Sequence, residues 1–328
     1  GISLGVNTSP SHFDSVKNLN DVEDLILDIR ERQSLKEVVD EAQPDFTFHL
    51  AAQALVRDSY VNPVDTLETN SIGTLNLLES LRELDKKSTA IFITSDKCYN
   101  NKEWVWGYKE DDELGGPDPY SASKGIAELI IRSYVKSFFP QDSTKVRIAS
   151  ARAGNVIGGG DWSKDRIVPD IIKAWQKNIT VELRSPHSTR PWQHVLEPLS
   201  GYLNLAQRLN EDINLHGESF NFGPLAQQNY SVSDLVNSMS KQLKGLTWKD
   251  ISSLDQGPYE SELLKLNCDK ALALLEWHSV MDFDKTVGFT TEWYNEFYKD
   301  NQKAAEVTSK QIDNFCELAK QQEIKWSV

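Results

Sequence analysis

The chain has 328 residues, with 35 lysines and arginines against 49 aspartates and glutamates, a formal net charge of −14. That length suits one large or two modest domains with a sizeable core, and the acidic excess repels polyanions, so nucleic acid and anionic membranes are poor partners. Cys98, Cys268 and Cys316 lack CxxC spacing, six scattered histidines lack HxxxH or HExxH spacing, and no apolar run is long enough for a bilayer; neither a disulfide framework, a metal site nor a membrane span is indicated, no signal peptide is visible, and a reducing cytoplasm is the default.

In chain order, strands are expected at 2–6, 24–28, 46–50, 90–94 and 145–151, with helices at 34–42, 63–84 and 120–138. Strands feeding crossover helices predict an α/β fold, a Rossmann-type doubly wound parallel sheet that binds ligands at the carboxyl ends of its strands. Asp28, Ala51, Ala52, Ser95 and Tyr120 then share one rim. The alternation ends at Gly158-Gly159-Gly160, which divides the chain into a nucleotide-binding domain, 1–157, and a smaller α/β domain, 158–328. A stretch at 190–201 is expected to return to the first domain, 217–224 to form a small-domain strand and turn, and 233–243 a helix. The polar tail, 299–328, reads as helical.

Chemistry concentrates at the end of the fourth strand and the start of the helix after it. Tyr120, Ile126, Leu129, Ile130, Tyr134 and Phe138 recur at helical spacing behind Pro119, which suits a helix entrance. Tyr120 and Lys124, at i and i+4, therefore share a face. An ammonium close to a phenol favours the phenolate, lowering a pKa of about 10, and so Tyr120 is a candidate base for a sugar hydroxyl. Ser95 is placed to donate to the same oxygen. Asp96 and Lys97 add an acid and a base that a simple dehydrogenase does not need. A lone YxxxK more often marks a surface helix than a site, but this one has the Ser95-Asp96-Lys97 turn beside it.

The run from Ile93 to Gly125, ITSDKCYNNKEWVWGYKEDDELGGPDPYSASKG, resembles the active-site segment of the CDP-glucose 4,6-dehydratases, a family of extended short-chain dehydrogenases/reductases. Further matches follow in order: Phe48-His49-Leu50-Ala51-Ala52-Gln53, Thr69-Asn70 with Gly73-Thr74, Arg152 through Trp162, and Arg190 through Pro198. The resemblance runs to about Trp277. HLAAQ and YxxxK belong to the whole superfamily, whereas SDKCY, EWVWGY and RPWQHVLEP are more particular.

The resemblance implies NAD as cofactor and CDP-glucose as substrate. The product would be CDP-4-dehydro-6-deoxyglucose, a precursor for deoxysugars and surface polysaccharide such as lipopolysaccharide O-antigen, made by a homodimer or homotetramer. It assigns Ser95, Asp96, Lys97, Tyr120 and Lys124 to catalysis. Asp28 and Ile29 would meet the adenine end of NAD, Leu50, Ala51, Ala52 and Asn70 its middle, and Tyr120 and Lys124 its reactive end. Asn155, Arg166, Arg190 and Glu260 would hold the sugar nucleotide; Arg152 is also placed to face the crevice. Asp96 and Lys97 stand where related dTDP-glucose enzymes carry Asp-Glu, with Asp96 the acid at a raised pKa and Lys97 the base at a lowered one, unless the two form an ion pair.

Two departures qualify the match. The only glycines before Gly73 are Gly1 and Gly5, so neither GxGxxG nor GxxGxxG can be written for the pyrophosphate turn. Residues 2–6 read as the family's second strand, which would put the first strand, phosphate loop and first helix upstream of residue 1. Glu276-Trp277-His278-Ser279 also replaces the family's Gly-Trp-x-Pro. The rival readings are a sugar-nucleotide epimerase, a dehydratase for another nucleotide-glucose, and a non-catalytic relative.

Overall fold

Residues 1–16, 22–254 and 263–327 are described by the structure, a computed structural model. Five strands open the chain: β1 (Ile2–Ser3), β2 (Leu25–Ile26), β3 (Phe46–His49), β4 (Ser88–Ile93) and β5 (Val146–Ala153). β3, β4 and β5 are parallel neighbours, with His49 opposite Phe92 and Ile93 opposite Ala151. Successive side chains of a strand point to opposite faces. Ala90 and Phe92 of β4 accordingly pack under one helical layer with Leu35, Leu78, Leu81 and Ile131, whereas Ile91 packs under the other with Tyr202, Leu205 and Trp277.

Two features differ from the sequence expectation. β1 and β2 form their own parallel pair, and among the described residues no ladder joins them to β3. Ile2 and Leu27 nevertheless pack on the same core as Leu35 and Phe92. Secondly, the stretch at 217–224, expected in the smaller domain, supplies the strand Ser219–Phe222, which pairs in parallel with β5 as a fourth member of the main sheet. Phe220 and Phe222 are fully buried there, against the helix Leu196–Glu211 that covers this face.

The smaller region has its own core, in which Trp162, Ile171, Ile172, Leu235, Met239, Val287, Trp293 and Phe297 meet. Its helices are Ile167–Gln176, Val232–Ser240 and Phe283–Lys299, and the tail helix Ala304–Gln321 packs on the last of them. A two-residue parallel ladder, Val156–Ile157 with Gln193–His194, stitches the end of β5 to the segment returning to the main sheet.

The Glu276 departure leaves the turn intact: Glu276 takes the left-handed conformation at φ 52°, where a glycine would rest without strain, and Trp277 is fully buried with its indole N–H donating to Ser200 Oγ at 3.0 Å. Glu197, in the RPWQHVLEP motif, also has a structural post. It is 1% exposed, and its carboxylate accepts the N–H groups of Val280, at 2.9 and 3.0 Å, and Met281, at 2.6 Å. Burial pushes its pKa up to about 7, against the pull of these bonds. A folded-state pKa above the unfolded one gives stability that is full below about 4.5 and lost as pH rises through about 7. Urea titrations of Glu197→Gln should therefore show less loss of stability than wild type across that window, by on the order of 2 kcal/mol; identical slopes in the two proteins would refute the assignment.

Candidate active site

β4 ends at Ile93, and the chain then makes one tight helical turn, Asp96–Cys98. Ser95 caps it: its Oγ accepts the Lys97 N–H at 3.2 Å and donates to Asp96 Oδ1 at 3.0 Å. Facing the turn is the helix Pro119–Phe138, opened by Asp118, whose carboxylate accepts the Ser121 N–H at 2.9 Å. Pro119 at the first helical position has no donor to leave unpaired. Tyr120 and Lys124 follow one turn apart, 8% and 6% exposed, with the Ser95 side chain near enough to the Tyr120 phenol to influence it. Gly125 permits this approach, since a Cβ there would stand 3.0 Å from Gly115 N and 3.3 Å from Cys98 O.

Asp96 is 2% exposed and is shaped from behind by the end of β5. Its Oδ2 accepts Asn155 Nδ2 at 3.3 Å, from a left-handed Asn155 at φ 50°, a conformation asparagine tolerates better than most residues. A Cβ on Gly154 would stand only 1.8 Å from the same Oδ2. Gln193 fixes this segment, donating from Nε2 to Gly154 O at 3.1 Å and to Phe222 O at 2.9 Å.

Desolvation dominates the electrostatics. Burial pushes Asp96 above the usual carboxylate range, against the Lys97 charge, the Ser95 bond and Arg190. Burial likewise raises Tyr120 to about 12, with Ser95 pulling it down, and lowers Lys124 to about 8. Burial thus works against the expected ammonium-driven phenolate. Taking each group out of water favours its neutral form, and this is the largest cause of both shifts.

The remaining sequence candidates fall into three groups. Of the residues expected to meet the cofactor, Leu50 is exposed, Ala51 and Ala52 are half-buried, and Ile29 is buried under the Gly73 helix. Asp28 lies in the fork of Arg30, 2.6 Å from Nη2, with its side chain 21% exposed. Asn70 is 2% exposed with its amide fully used: Oδ1 accepts the Gln53 N–H at 2.8 Å, while Nδ2 donates to Gln53 O at 3.0 Å and Ser123 Oγ at 2.8 Å. Of the residues expected to hold the substrate, Arg166 pairs with Asp161 at 3.2 Å and its charge reaches Tyr120. Arg190 donates to Thr189 O at 2.8 Å and its charge reaches Asp96. Glu260 lies outside the described residues. Arg152, expected to face the crevice, is instead 2% exposed and locked in an ion pair with Glu128 at 2.8 Å. Sequence reasoning missed Glu128, Gly154 and Gln193, of which Glu128 was within reach, since it continues the Tyr120, Lys124 spacing by one more turn.

These residues suit two parts of a nicotinamide dinucleotide. A partly open carboxylate, Asp28, matches ribose hydroxyls, and the small Ala51 and Ala52 leave room beside Ser95, Tyr120 and Lys124. No glycine-rich turn for the pyrophosphate stands before Gly73 in this chain.

A parallel sheet carrying serine, tyrosine and lysine at its carboxyl edge, joined to a smaller α/β region, defines an extended short-chain dehydrogenase/reductase. The chain belongs to the GDP-mannose 4,6 dehydratase family, whose model matches residues 6–290. It is 44% identical over 307 residues to a CDP-glucose 4,6-dehydratase of Salmonella typhimurium, covering 91% of this chain and 84% of that protein. Among solved structures, it is similar to a UDP-glucuronic acid 4-epimerase from Bacillus cereus in complex with UDP-glucuronic acid and NAD, with TM-score 0.74, 21% identity and coverage of 87% and 85% of the two chains. A double mutant of a dTDP-glucose 4,6-dehydratase from Streptomyces venezuelae with NAD bound gives TM-score 0.70, 18% identity and 84% and 80% coverage.

Proposed function

We propose that the chain eliminates water from CDP-D-glucose with NAD as cofactor, giving CDP-4-dehydro-6-deoxy-D-glucose; it is an NAD-dependent hydro-lyase. The observation that carries this reading is the 44% identity to a CDP-glucose 4,6-dehydratase over 91% of the chain. NAD, when bound, supplies the hydride acceptor for sugar C4, a positive ring charge, and the hydride returned to C6.

The chain's residues divide the proton chemistry among them. Tyr120, with Ser95 on the same oxygen, takes the proton of the C4 hydroxyl; Lys124, one turn along the helix, supports it. A carbonyl at C4 acidifies the C5 hydrogen, so a base removes it while an acid protonates the departing C6 hydroxyl. Asp96 suits the acid, because burial raises its pKa above the usual carboxylate range. Lys97 suits the base: Asp96 bonds Ser95 and Asn155, and Lys97 is half-buried on the same turn. Asn155, Arg166 and Arg190 face the sugar nucleotide, with Arg190 offering its planar fork to phosphate oxygens. Asp28, Ala51 and Ala52 line the cofactor, and Asn70 shapes its pocket from behind.

Lys97→Ala is expected to retain oxidation at C4 but to slow water loss at least about 100-fold; release of dehydrated sugar at the wild-type rate would remove Lys97 from the mechanism. The function itself is tested by the mass of the product from CDP-, dTDP- and GDP-glucose. Loss of one water with CDP-glucose supports the reading, whereas isomerisation without mass change identifies an epimerase. A cytoplasmic location and a homodimer or homotetramer belong to the same reading. They are consistent with three free cysteines, with no helix among the described residues long and apolar enough to cross a membrane, and with Ile126 and Leu129 exposed on the outer face of the Tyr120 helix.

A further inference from the structure

Beneath the active-site turn lies an ion pair that the chemistry above does not use. Glu128 sits one turn beyond Lys124 and two beyond Tyr120 on their shared helix, and Arg152 comes from β5. Each side chain is 3% exposed. The guanidinium meets the carboxylate in two bonds, Nε to Oε1 at 2.9 Å and Nη2 to Oε2 at 2.8 Å, the fork geometry that makes such pairs directional. Burying two charges costs several kcal/mol of desolvation, and an apolar pair of the same volume is often no less stable. Stability alone therefore does not account for it.

The bonds radiating from the pair point to its role. On the carboxylate side, Thr94 Oγ1 donates to Glu128 Oε1 at 2.5 Å and Ser150 Oγ to Oε2 at 3.0 Å. On the guanidinium side, Arg152 Nη1 donates to Tyr99 Oη and to Glu110 O, both at 2.8 Å, and Tyr99 Oη donates onward to Asn221 Oδ1 at 2.7 Å. Thr94 and Tyr99 are the residues immediately before and after the Ser95–Cys98 turn. One end of the pair thus holds the limb entering the turn and the other end the limb leaving it. The pair itself is rooted in the helix that carries Tyr120 and Lys124.

We propose that Glu128 and Arg152 are positioning residues that set the placement of Asp96 and Lys97 relative to Tyr120 and Lys124, acting through Thr94 and Tyr99. What the turn does rests on the dehydratase reading; what holds it rests on these bonds. The two halves of the site come from different elements and must meet within about 0.5 Å for one substrate to use both. A rigid, directional pair serves that need where an apolar contact would allow sliding.

Thr94→Val and Tyr99→Phe each remove one hydroxyl, change little volume and leave the ion pair in place, so both variants are expected to fold. Three quantities are read well below the melting temperature: kcat and KM for CDP-glucose with NAD, Tm, and amide hydrogen exchange of residues 95–99. Each variant should lose about 10-fold in kcat and the double variant about 100-fold, with KM within about twofold. Exchange of the turn should quicken about 10-fold, and Thr94→Ser, which keeps the hydroxyl, should match wild type. Wild-type kcat and unchanged exchange in the double variant would overturn the proposal, as would an equal loss in Thr94→Ser and Thr94→Val. A wild-type chain that removes no water from CDP-glucose would sink the dehydratase reading instead, and the exchange data would still decide whether the clamp exists.

Discussion

Tyr120→Phe is expected to lower kcat about 1,000-fold while leaving Tm within a few degrees of wild type. A positioned general acid or base contributes roughly 100- to 10,000-fold, and the phenol is the group that must take the C4 proton. The ring is 8% exposed at the start of its helix, and phenylalanine fills the same volume. Only the phenolic hydroxyl is lost. Ser95 Oγ keeps its bond to Asp96 and still accepts the Lys97 N–H, so no buried polar group is stranded and the stability cost stays near 1 kcal/mol. Burial raises the Tyr120 pKa to about 12, which favours the neutral phenol. The variant removes the hydroxyl through which the C4 proton would pass. Steady-state kinetics beside a melting curve separate this from a packing role, which would reverse the pattern with a large Tm loss and near-normal turnover.

Gly154→Ala should damage both fold and chemistry, through Asp96. The added methyl carbon would lie 1.8 Å from Asp96 Oδ2, 2.0 Å from Cγ and 2.6 Å from Oδ1, distances no packing tolerates. The carboxylate has no free retreat, because Ser95 holds Oδ1 and Asn155 holds Oδ2. The backbone has little freedom either, because Gln193 ties Gly154 O to Phe222 O. Overpacking of this kind costs about 1–3 kcal/mol, and displacing the buried acid by 1 Å is expected to cost about 100-fold in water loss. A double variant makes the cause explicit: Asp96→Ala combined with Gly154→Ala should recover most of the stability lost by Gly154→Ala, without activity. Additive losses in the double variant would show that the two residues do not clash.

The sequence carried the elements built on periodicity and the motifs built on spacing. The Tyr120 helix was legible because apolar residues recur at helical spacing along it, β3, β4 and β5 because short strand-length runs alternate with helical patterns, and Ser95, Asp96, Tyr120 and Lys124 because all five catalytic candidates, Lys97 included, lie within one 30-residue stretch. What stayed hidden is set by contacts distant in sequence. Phe220 and Phe222 alternate as in any short strand, and nothing local reveals that their partner is β5. Arg152 reads as a crevice arginine until Glu128 is seen to capture it. Gly154 sits beside a triple-glycine turn, and only the position of Asp96 shows why it must lack a side chain. The direction of the Tyr120 shift was also misjudged, because i,i+4 spacing reports which groups are near one another, not how much water burial removes.

The most direct test of the account is to incubate the chain with CDP-glucose carrying deuterium at C4, at saturating NAD, and to locate the label in the product. A site that oxidises C4, eliminates across C5 and C6 and delivers the hydride back gives a product lighter by one water with the deuterium at C6. Product that keeps its mass, label lost to solvent, or no product at all would contradict the claim that this chain completes the reaction.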